Sequence, residues 1–311
     1  MTKLGTTDLD VFPLNLGGNV FGWTADEATS HAVLDAYADA GGNFVDTSDS
    51  YMASVPGNVG GESETIIGSW LRRRGRRDDV VIATKVSQHP ERKGLGHDNI
   101  LAAAEDSLRR LGTDHIDLYY AHFDDEHTPL QESLSAFDEL VRSGKVRYVA
   151  GSNYSPARLQ EALDIQDREG YARWVALQPH YNLVERAGYE DGGLRAIAEC
   201  EGLAVLPYFA LAKGFLTGKY RGEGAGDSPR ARGAEAYLDD RGRRVLAALD
   251  EVAAAHDAPV TAVSIAWLAA RPTVTAPIAS ARNVAQLDAL LQGAKLTLAD
   301  DEVAALDAAS A

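Results

Sequence analysis

The chain carries near its start the stretch Gly41-Gly42-Asn43-Phe44-Val45-Asp46-Thr47-Ser48-Asp49-Ser50-Tyr51. Residues 43–45 are typical of a short buried strand, and the two glycines before them predict the end of a helix. A carboxylate, Asp46, falls where this strand should stop, and Tyr51 follows five positions later. Asp49 lies between them, and we interpret it as a solvated loop residue.

Three later apolar runs also end in polar side chains. Lys85 closes one run, His122 closes the next, and Ser152 and Asn153 close a third. In a β/α barrel the carboxyl ends of the strands converge on one mouth, where catalytic groups lie. If these runs are strands of such a barrel, their polar side chains meet at that mouth.

Segments with strand-like and helix-like patterns alternate along the whole chain. Such alternation predicts parallel pairing, and right-handed crossovers would close the strands into a barrel. The predicted fold class is therefore α/β, a (β/α)8 TIM barrel with a β-hairpin over residues 2–13, in a single domain over residues 1–311. The predicted strands are 14–18, 43–46, 79–84, 116–120, 146–150, 174–177, 203–207 and 274–278, and the predicted helices are 26–40, 62–73, 98–111, 130–143, 156–169, 190–201, 235–256 and 260–270.

Composition restricts the partners and the location. The formal net charge of −16 at pH 7 argues against nucleic acid, because proteins that bind it carry basic patches. The single cysteine, Cys200, lies in an amphipathic segment and is expected to pack in the core. We find no apolar run of about 18 residues and no apolar leader, so no membrane partner is expected and a reducing cytoplasm is favoured. Whether the chain forms a homo-oligomer stays open.

Asp46, Tyr51, Lys85 and His122 match, in order and context, the catalytic tetrad of the aldo-keto reductases. The chain resembles this family from about residue 4 to about residue 306, and most closely its bacterial members related to potassium-channel β-subunits. In that family an N-terminal hairpin plugs the barrel bottom, which the resemblance implies here too. The supporting motifs are Gly-Glu-Ser-Glu at 61–64, Gly-Ser-Asn at 151–153, Gln178-Pro179 and Leu216-Thr217-Gly218-Lys219-Tyr220.

The resemblance implies a reductase that adds hydride to the carbon of an aldehyde or ketone and a proton to its oxygen. A tyrosine is a weak acid, with a reference pKa of ~10, and a nearby lysine cation favours its phenolate form. By resemblance, Tyr51 is the general acid, Lys85 tunes it, and Asp46 is the partner of Lys85. His122 would orient the carbonyl through a hydrogen bond.

The resemblance also implies a nicotinamide nucleotide bound on the barrel, and no Gly-x-Gly-x-x-Gly motif supports a Rossmann domain. A guanidinium group at Arg282 suits a 2′-phosphate, so NADPH (NADP+) is expected rather than NADH. Phe209-Ala210 and Leu290 depart from the family pattern, which often has Ser-Pro and an adenine-contacting asparagine there. The residues expected to hold the nucleotide are Ser152, Asn153 and Gln178 at the carboxamide, Tyr208 on the ring face, Leu211, Ala212 and Gly214 along the pyrophosphate, and Ser280, Arg282 and Gln286 at the adenosine end.

The substrate is expected to be a small carbonyl compound, whose identity the sequence does not specify. Trp23, Met52, Phe123 and the glycine-rich segment 219–234 are expected to line the mouth. These residues predict an apolar pocket suited to aromatic compounds or sugars.

Two alternative functions are considered, and a metal site is weighed beside them. A cofactor-binding regulatory subunit would keep the fold without a catalytic role, as the channel-associated relatives suggest. A Schiff-base aldolase needs a buried lysine on a suitable strand, and the predicted strand 174–177 offers none. His115, Asp117, Asp124 and nearby acidic residues could suggest a metal. No spacing such as His-x-x-x-His is present, so no metal is expected.

Overall fold

Eight parallel strands form the centre of the molecule. The computed structural model of the chain describes residues 1–221 and 231–311. Each strand from β1 to β6 pairs in parallel with the next, and β8 pairs with β1. The ring closes where the Ile278 N–H donates to the Pro207 carbonyl at 2.9 Å. The predicted (β/α)8 barrel is therefore confirmed. The barrel strands, β1 to β8, are Asn15–Gly17, Phe44–Asp46, Val81–Val86, Ile116–Ala121, Val146–Ser152, Trp174–Gln178, Ala204–Val205 and Ile278–Ala279.

A two-stranded hairpin closes the amino-terminal end of the barrel. Thr2–Lys3 pairs antiparallel with Asp10–Val11. Leu4 and Leu9 from this hairpin share one buried cluster with side chains from inside the barrel. Gly5 approaches the start of β7 so closely that a Cβ there would lie 3.3 Å from a backbone nitrogen. The hairpin therefore plugs the barrel bottom, as expected.

Helices cover the outside of the barrel, and their starts follow the sequence. Asp26 caps the first helix by accepting from the Thr29 N–H, and Ser155 caps the fifth, with Pro156 at its first position. The α-helices, α1 to α12, are Glu27–Asp39, Glu62–Arg74, His97–Leu111, Leu130–Arg142, Pro156–Glu169, Ala187–Glu190, Leu194–Glu201, Ala231–Glu235, Asp240–Ala255, Val260–Ala269, Val284–Gly293 and Asp300–Ser310, with a 3-10 helix at Ala212–Thr217. In the described part of the chain, no single helix is long and apolar enough to cross a membrane; α9 and α10, bent by 97°, meet that test only as a pair.

Two predicted helices have clearly different bounds, and several helices have no predicted counterpart. The helix predicted at 190–201 is divided into α6 and α7, because Gly193 between them takes φ +94°. The helix predicted from residue 235 begins at Asp240, where the Asp239 carboxylate accepts from the Gly242 N–H at 2.7 Å. Neither α11 nor α12 is among the predicted helices.

Three further expectations differ from the structure or lie outside it. The predicted strand 274–278 is interrupted: Val274 forms a parallel bridge with Val205 of β7, and β8 begins only at Ile278, after Pro277, which has no N–H to donate to a ladder. Most of the segment 219–234 lies outside the described residues. Cys200 is exposed rather than packed in the core, since it lies two positions from the buried Ala198 on α7 and so faces the other side of that helix.

The packing of Gly42 before β2 can be tested directly. It lies against the ring of Tyr37, whose buried hydroxyl donates to the Leu14 carbonyl at 2.6 Å. A Cβ at this glycine would lie 2.3 Å from the ring. Gly42→Ala is therefore expected to lower the free energy of unfolding by about 1–3 kcal/mol, the usual cost of overpacking.

Gly188→Ala is the matched control, because nothing lies within 4 Å of a Cβ there. Urea denaturation measures both variants, and equal stabilities would contradict the packing argument.

Candidate active site

A cavity of about 600 Å³ opens at the carboxyl ends of the barrel strands. Asp46 and Lys85 are fully buried and contact Tyr51 from below the cavity wall. Most of the predicted site residues therefore come together. Those that line the cavity are Trp23, Tyr51, His122, Phe123, Ser152, Asn153, Gln178, Tyr208, Leu211, Gly214, Ser280, Arg282 and Gln286.

Two predicted residues lie outside the cavity wall that the described residues form. Met52 takes φ +61°, and its carbonyl accepts from the Val55 N–H in a turn that follows Tyr51. Ala212 is fully buried, and its side chain packs in the hydrophobic core rather than against the cavity.

Lys85 lies at the centre of the polar cluster beneath the cavity. It is the second-to-last residue of β3 rather than the residue after the strand. Its Nζ donates to Asp46 Oδ1 at 2.5 Å, to the Thr47 carbonyl at 2.7 Å and to the Tyr51 hydroxyl oxygen at 2.7 Å. These three hydrogen bonds use all three N–H donors of the ammonium group. Burial lowers the pKa of Lys85, and the Asp46 carboxylate opposes that fall.

Strand register brings Asp46 to this lysine. β2 pairs with β3 so that Asp46 lies opposite Ala83, and Lys85, two residues further on, faces the same side of the sheet. The carboxylate is held from both sides, because the Tyr51 hydroxyl donates to Oδ1 and Gln178 Nε2 donates to Oδ2, each at 3.0 Å. Gln178, predicted to bind the carboxamide, therefore holds the Asp46 carboxylate in this structure.

His122 follows β4 and faces the cavity. Its ring centroid lies 6.1 Å from that of Tyr51, and its Nδ1 lies 3.3 Å from Ser48 Oγ. Burial, with a smaller effect of the Lys85 cation, lowers the pKa of His122 well below its usual range. The neutral imidazole has one N–H donor and one acceptor nitrogen.

The polar residues on the opposite wall hold one another. Ser152 Oγ donates to the Gln178 carbonyl at 2.9 Å, and Asn153 Nδ2 donates to the His122 carbonyl at 2.9 Å. The Tyr208 hydroxyl donates to Asn153 Oδ1 at 2.8 Å. These hydrogen bonds fix the side chains relative to one another, and their remaining donors and acceptors can serve an amide group.

The cavity wall is positively charged in a chain with a net charge of −16. Lys213, Lys219 and Arg282 line it, and no aspartate or glutamate is among its described lining residues. Lys219 begins the segment 219–234 that was expected to line the mouth. Lys213 was not named as a site residue, although it lies between Ala212 and Gly214, which were expected along the pyrophosphate.

The acidic residues that could suggest a metal are used elsewhere. Asp117 pairs with Arg77 and Arg147, and Asp124 pairs with Arg158. In the described residues, no group of three or more His, Cys, Asp or Glu side chains could hold a metal ion.

The interpretation of Asp49 as a solvated loop residue is wrong. Its side chain is buried, Oδ1 accepts from Ser48 Oγ at 3.2 Å, and Oδ2 has no hydrogen-bond partner among the described residues. The loop enters the barrel wall because the Asp49 N–H donates to the Lys85 carbonyl. Burial, and then the nearby Glu64 carboxylate, raise the pKa of Asp49 to about 8.

Comparison with known proteins agrees with this geometry. A model described as the aldo/keto reductase family matches residues 13–311. The chain belongs to this family. The uncharacterized oxidoreductase YrpG of Bacillus subtilis (strain 168) is 35% identical over 97% of this chain and 93% of that protein. A probable voltage-gated potassium channel subunit beta of Oryza sativa subsp. japonica is 32% identical over 92% and 88%. Norsolorinic acid reductase B of Aspergillus parasiticus is 30% identical over 96% and 80%.

Membership of the aldo/keto reductase family confirms the predicted resemblance and supports a general oxidoreductase role. Members of this family generally use NAD(P)H.

The raised pKa of Asp49 predicts a pH-dependent stability. The pKa of Asp49 rises from 3.8 to about 8 on folding, so the folded chain holds one more proton between these pH values. Stability is therefore lost as the pH rises through this range. Asp49→Asn removes the titration, and its free energy of unfolding relative to the wild type should increase by about 4 kcal/mol between about pH 5 and pH 9, because each of the roughly three pH units below the raised pKa contributes about 1.4 kcal/mol.

Urea titrations across this range measure the effect. Asp164→Asn, at an exposed carboxylate on α5, is the control and should show a constant difference from the wild type. A constant difference for Asp49→Asn as well would contradict the raised pKa.

Proposed function

We propose that the chain is an NADPH-dependent reductase of small aldehydes or ketones, acting in the cytoplasm with Tyr51 as general acid. The observation that carries this proposal is the contact of Lys85 Nζ with the Tyr51 hydroxyl oxygen at 2.7 Å, at the wall of a cavity. A buried cation against a phenol oxygen has little structural purpose by itself, because burying the charge is costly.

The residues of the tetrad can perform the proton transfer. A reduced nicotinamide supplies the hydride when it is bound. Tyr51 gives its proton to the carbonyl oxygen, and the Lys85 cation stabilises the phenolate that remains. Asp46 holds Lys85 in place through the 2.5 Å contact. His122, neutral because it is buried, donates one N–H to the same carbonyl oxygen and polarises the carbonyl group.

The cavity wall fits a phosphorylated dinucleotide in size and charge. About 600 Å³ lies within the range of cofactor sites. Lys213 and Lys219 offer cations for the diphosphate. Across residues 1–221 and 231–311 the Arg282 guanidinium has no carboxylate within ion-pair distance, which leaves it for a 2′-phosphate. Ser152 and Asn153 would hold the carboxamide.

Tyr51→Phe tests the general acid. Removing the hydroxyl should lower the turnover of carbonyl reduction by about 10²–10⁴-fold, the usual contribution of a positioned proton donor. NADPH binding, followed by fluorescence titration, should be unchanged, because the phenol does not hold the nucleotide.

Tyr148→Phe is the matched control, since that hydroxyl donates to Asp8 at 2.8 Å at the opposite end of the barrel. Near-normal turnover of Tyr51→Phe with an unactivated ketone would overturn the assignment.

Arg282→Ala tests the cofactor preference. A charge-assisted hydrogen bond contributes roughly 1.5–3 kcal/mol, so the Kd of NADPH should rise about 10–100-fold while that of NADH barely changes. Arg282→Lys should fall between the wild type and the alanine variant, because lysine keeps the charge but not the planar fork. Equal losses for both nucleotides would show that Arg282 does not contact the 2′-phosphate.

The second candidate function is a regulatory subunit that binds the nucleotide without turnover. It is suggested by the similarity to a protein named as a probable voltage-gated potassium channel subunit beta. NADPH binding without NADPH oxidation across a panel of aldehydes would favour it. A Schiff-base aldolase is not favoured, because Lys85 lies below the cavity wall and all its donors are engaged.

A further inference from the structure

We propose that Ser48 and Asp49 fix the tautomer of His122, so that Nε2 carries the ring proton and donates it to the substrate carbonyl. Both are positioning residues that act through His122. The kinetic part of this inference rests on the proposed reductase function. Its structural part, the position of a proton on His122, does not require turnover.

Ser48 connects the histidine to a buried carboxyl group. Its Oγ lies 3.3 Å from His122 Nδ1, 3.2 Å from Asp49 Oδ1 and 3.0 Å from Ser50 Oγ. A hydroxyl has one hydrogen and can accept further hydrogen bonds. Ser48 can therefore donate to only one of these three neighbours at a time, and the protonation of the others decides which one.

A neutral Asp49 directs the Ser48 hydrogen to the histidine. The protonated carboxyl donates to Ser48 Oγ, and Ser48 then donates to His122 Nδ1. Since Nδ1 accepts, the single proton of the neutral ring resides on Nε2. An ionised Asp49 would instead accept the Ser48 hydrogen, and Nδ1 would keep the ring proton to donate to Ser48 Oγ.

The position of this proton matters for the reaction. A carbonyl oxygen is an acceptor, so only the tautomer with a proton on Nε2 can hydrogen-bond it from the cavity. The opposite tautomer presents a lone pair to the carbonyl oxygen and stabilises no developing charge there.

The surroundings keep Asp49 neutral at ordinary pH. Its side chain is 1% exposed, and burial together with Glu64 raises its pKa to about 8. Arg110, the cation that opposes this shift, pairs with Glu64 at 2.6 Å. The titratable and charged groups around Asp49 are Glu64 on α2, Lys85 on β3, His89 beside Gly60, Arg110 on α3, and Tyr119 and His122 from β4 and the residue after it.

The ring proton can be located by 15N NMR of the protein labelled at its histidine rings. At pH 7 we expect a bare Nδ1 and a protonated Nε2 on His122, with His122→Gln identifying the signals among eight histidines. Above about pH 9, where Asp49 ionises, the proton should move to Nδ1. Asp49→Asn should keep it on Nε2 throughout, because the amide N–H₂ replaces the carboxyl donor.

Ser48→Ala should make the tautomer independent of pH, because the connecting hydroxyl is lost. Ser133→Ala also removes a buried hydroxyl, one that donates to the Leu95 carbonyl at 2.7 Å, and it should behave as the wild type. A protonated Nδ1 in the wild type at pH 7, or a tautomer that does not follow pH, would overturn the inference whether or not the protein reduces carbonyls.

The kinetic readout is the ratio of kcat for Asp49→Asn to kcat for the wild type in NADPH-dependent reduction. This ratio should grow about 30-fold between pH 7 and pH 9.5, since each pH unit above the pKa of about 8 lowers the neutral fraction of Asp49 about tenfold. The Kd of NADPH should be unaffected. A constant ratio with an active wild type would overturn the positioning role and leave the reductase function intact, whereas an inactive wild type would count against the function alone.

Discussion

The buried ammonium group of Lys85 is the constraint on which the rest of the site depends. A charge taken out of water costs several kcal/mol unless its donors are satisfied. Here the three partners are Asp46, the Thr47 carbonyl and Tyr51. All come from β2 and the residues that follow it, while Lys85 belongs to the neighbouring β3. The register of two short parallel strands therefore determines both the stability of the cation and the position of the phenol.

The same dependence explains why Gln178 contacts Asp46 in this structure. Asp46 Oδ1 accepts from Lys85 and Tyr51, which leaves the buried Oδ2 in need of another donor. Gln178 Nε2 supplies it from β6, on the other side of the barrel. A side chain that reaches across the barrel in this way connects the carboxylate to the wall where Ser152 and Asn153 lie. Hydrogen bonds through Gln178 therefore connect the proton-donating part of the proposed site to the part that would hold the nucleotide.

Sequence reasoning placed the tetrad because it depends on strand ends, which a β/α barrel brings to one mouth whatever the loops do. The predicted bounds of strands and helices were wrong where a single residue changed the local backbone hydrogen bonding or conformation. Pro277, which has no N–H, interrupts the last strand between Val274 and Ile278, and Gly193 divides a helix. Asp49 was predicted to be solvated because a charged residue between turn-forming serines usually is. Its backbone N–H instead donates to the Lys85 carbonyl, a contact between residues distant in sequence.

The net charge of the chain likewise gave no indication of the cationic cavity, since a charge summed over the whole chain does not describe one wall.

The buried residues Asp46 and Asp49 lie three positions apart but have opposite electrostatic surroundings. This difference gives them different roles in the proposed site. Asp46 touches a cation, whereas Asp49 has no cation at ion-pair distance within the described residues. A carboxylate beside an ammonium favours charge, and an isolated buried carboxyl favours the neutral acid. The charged pair lies under Tyr51, where the proposed reaction forms a phenolate. Asp49 lies behind His122, whose ring stays uncharged in the proposed reaction. In that proposal, the separation of charge within one loop lets a single strand end supply both a tuned acid and a neutral hydrogen-bond donor.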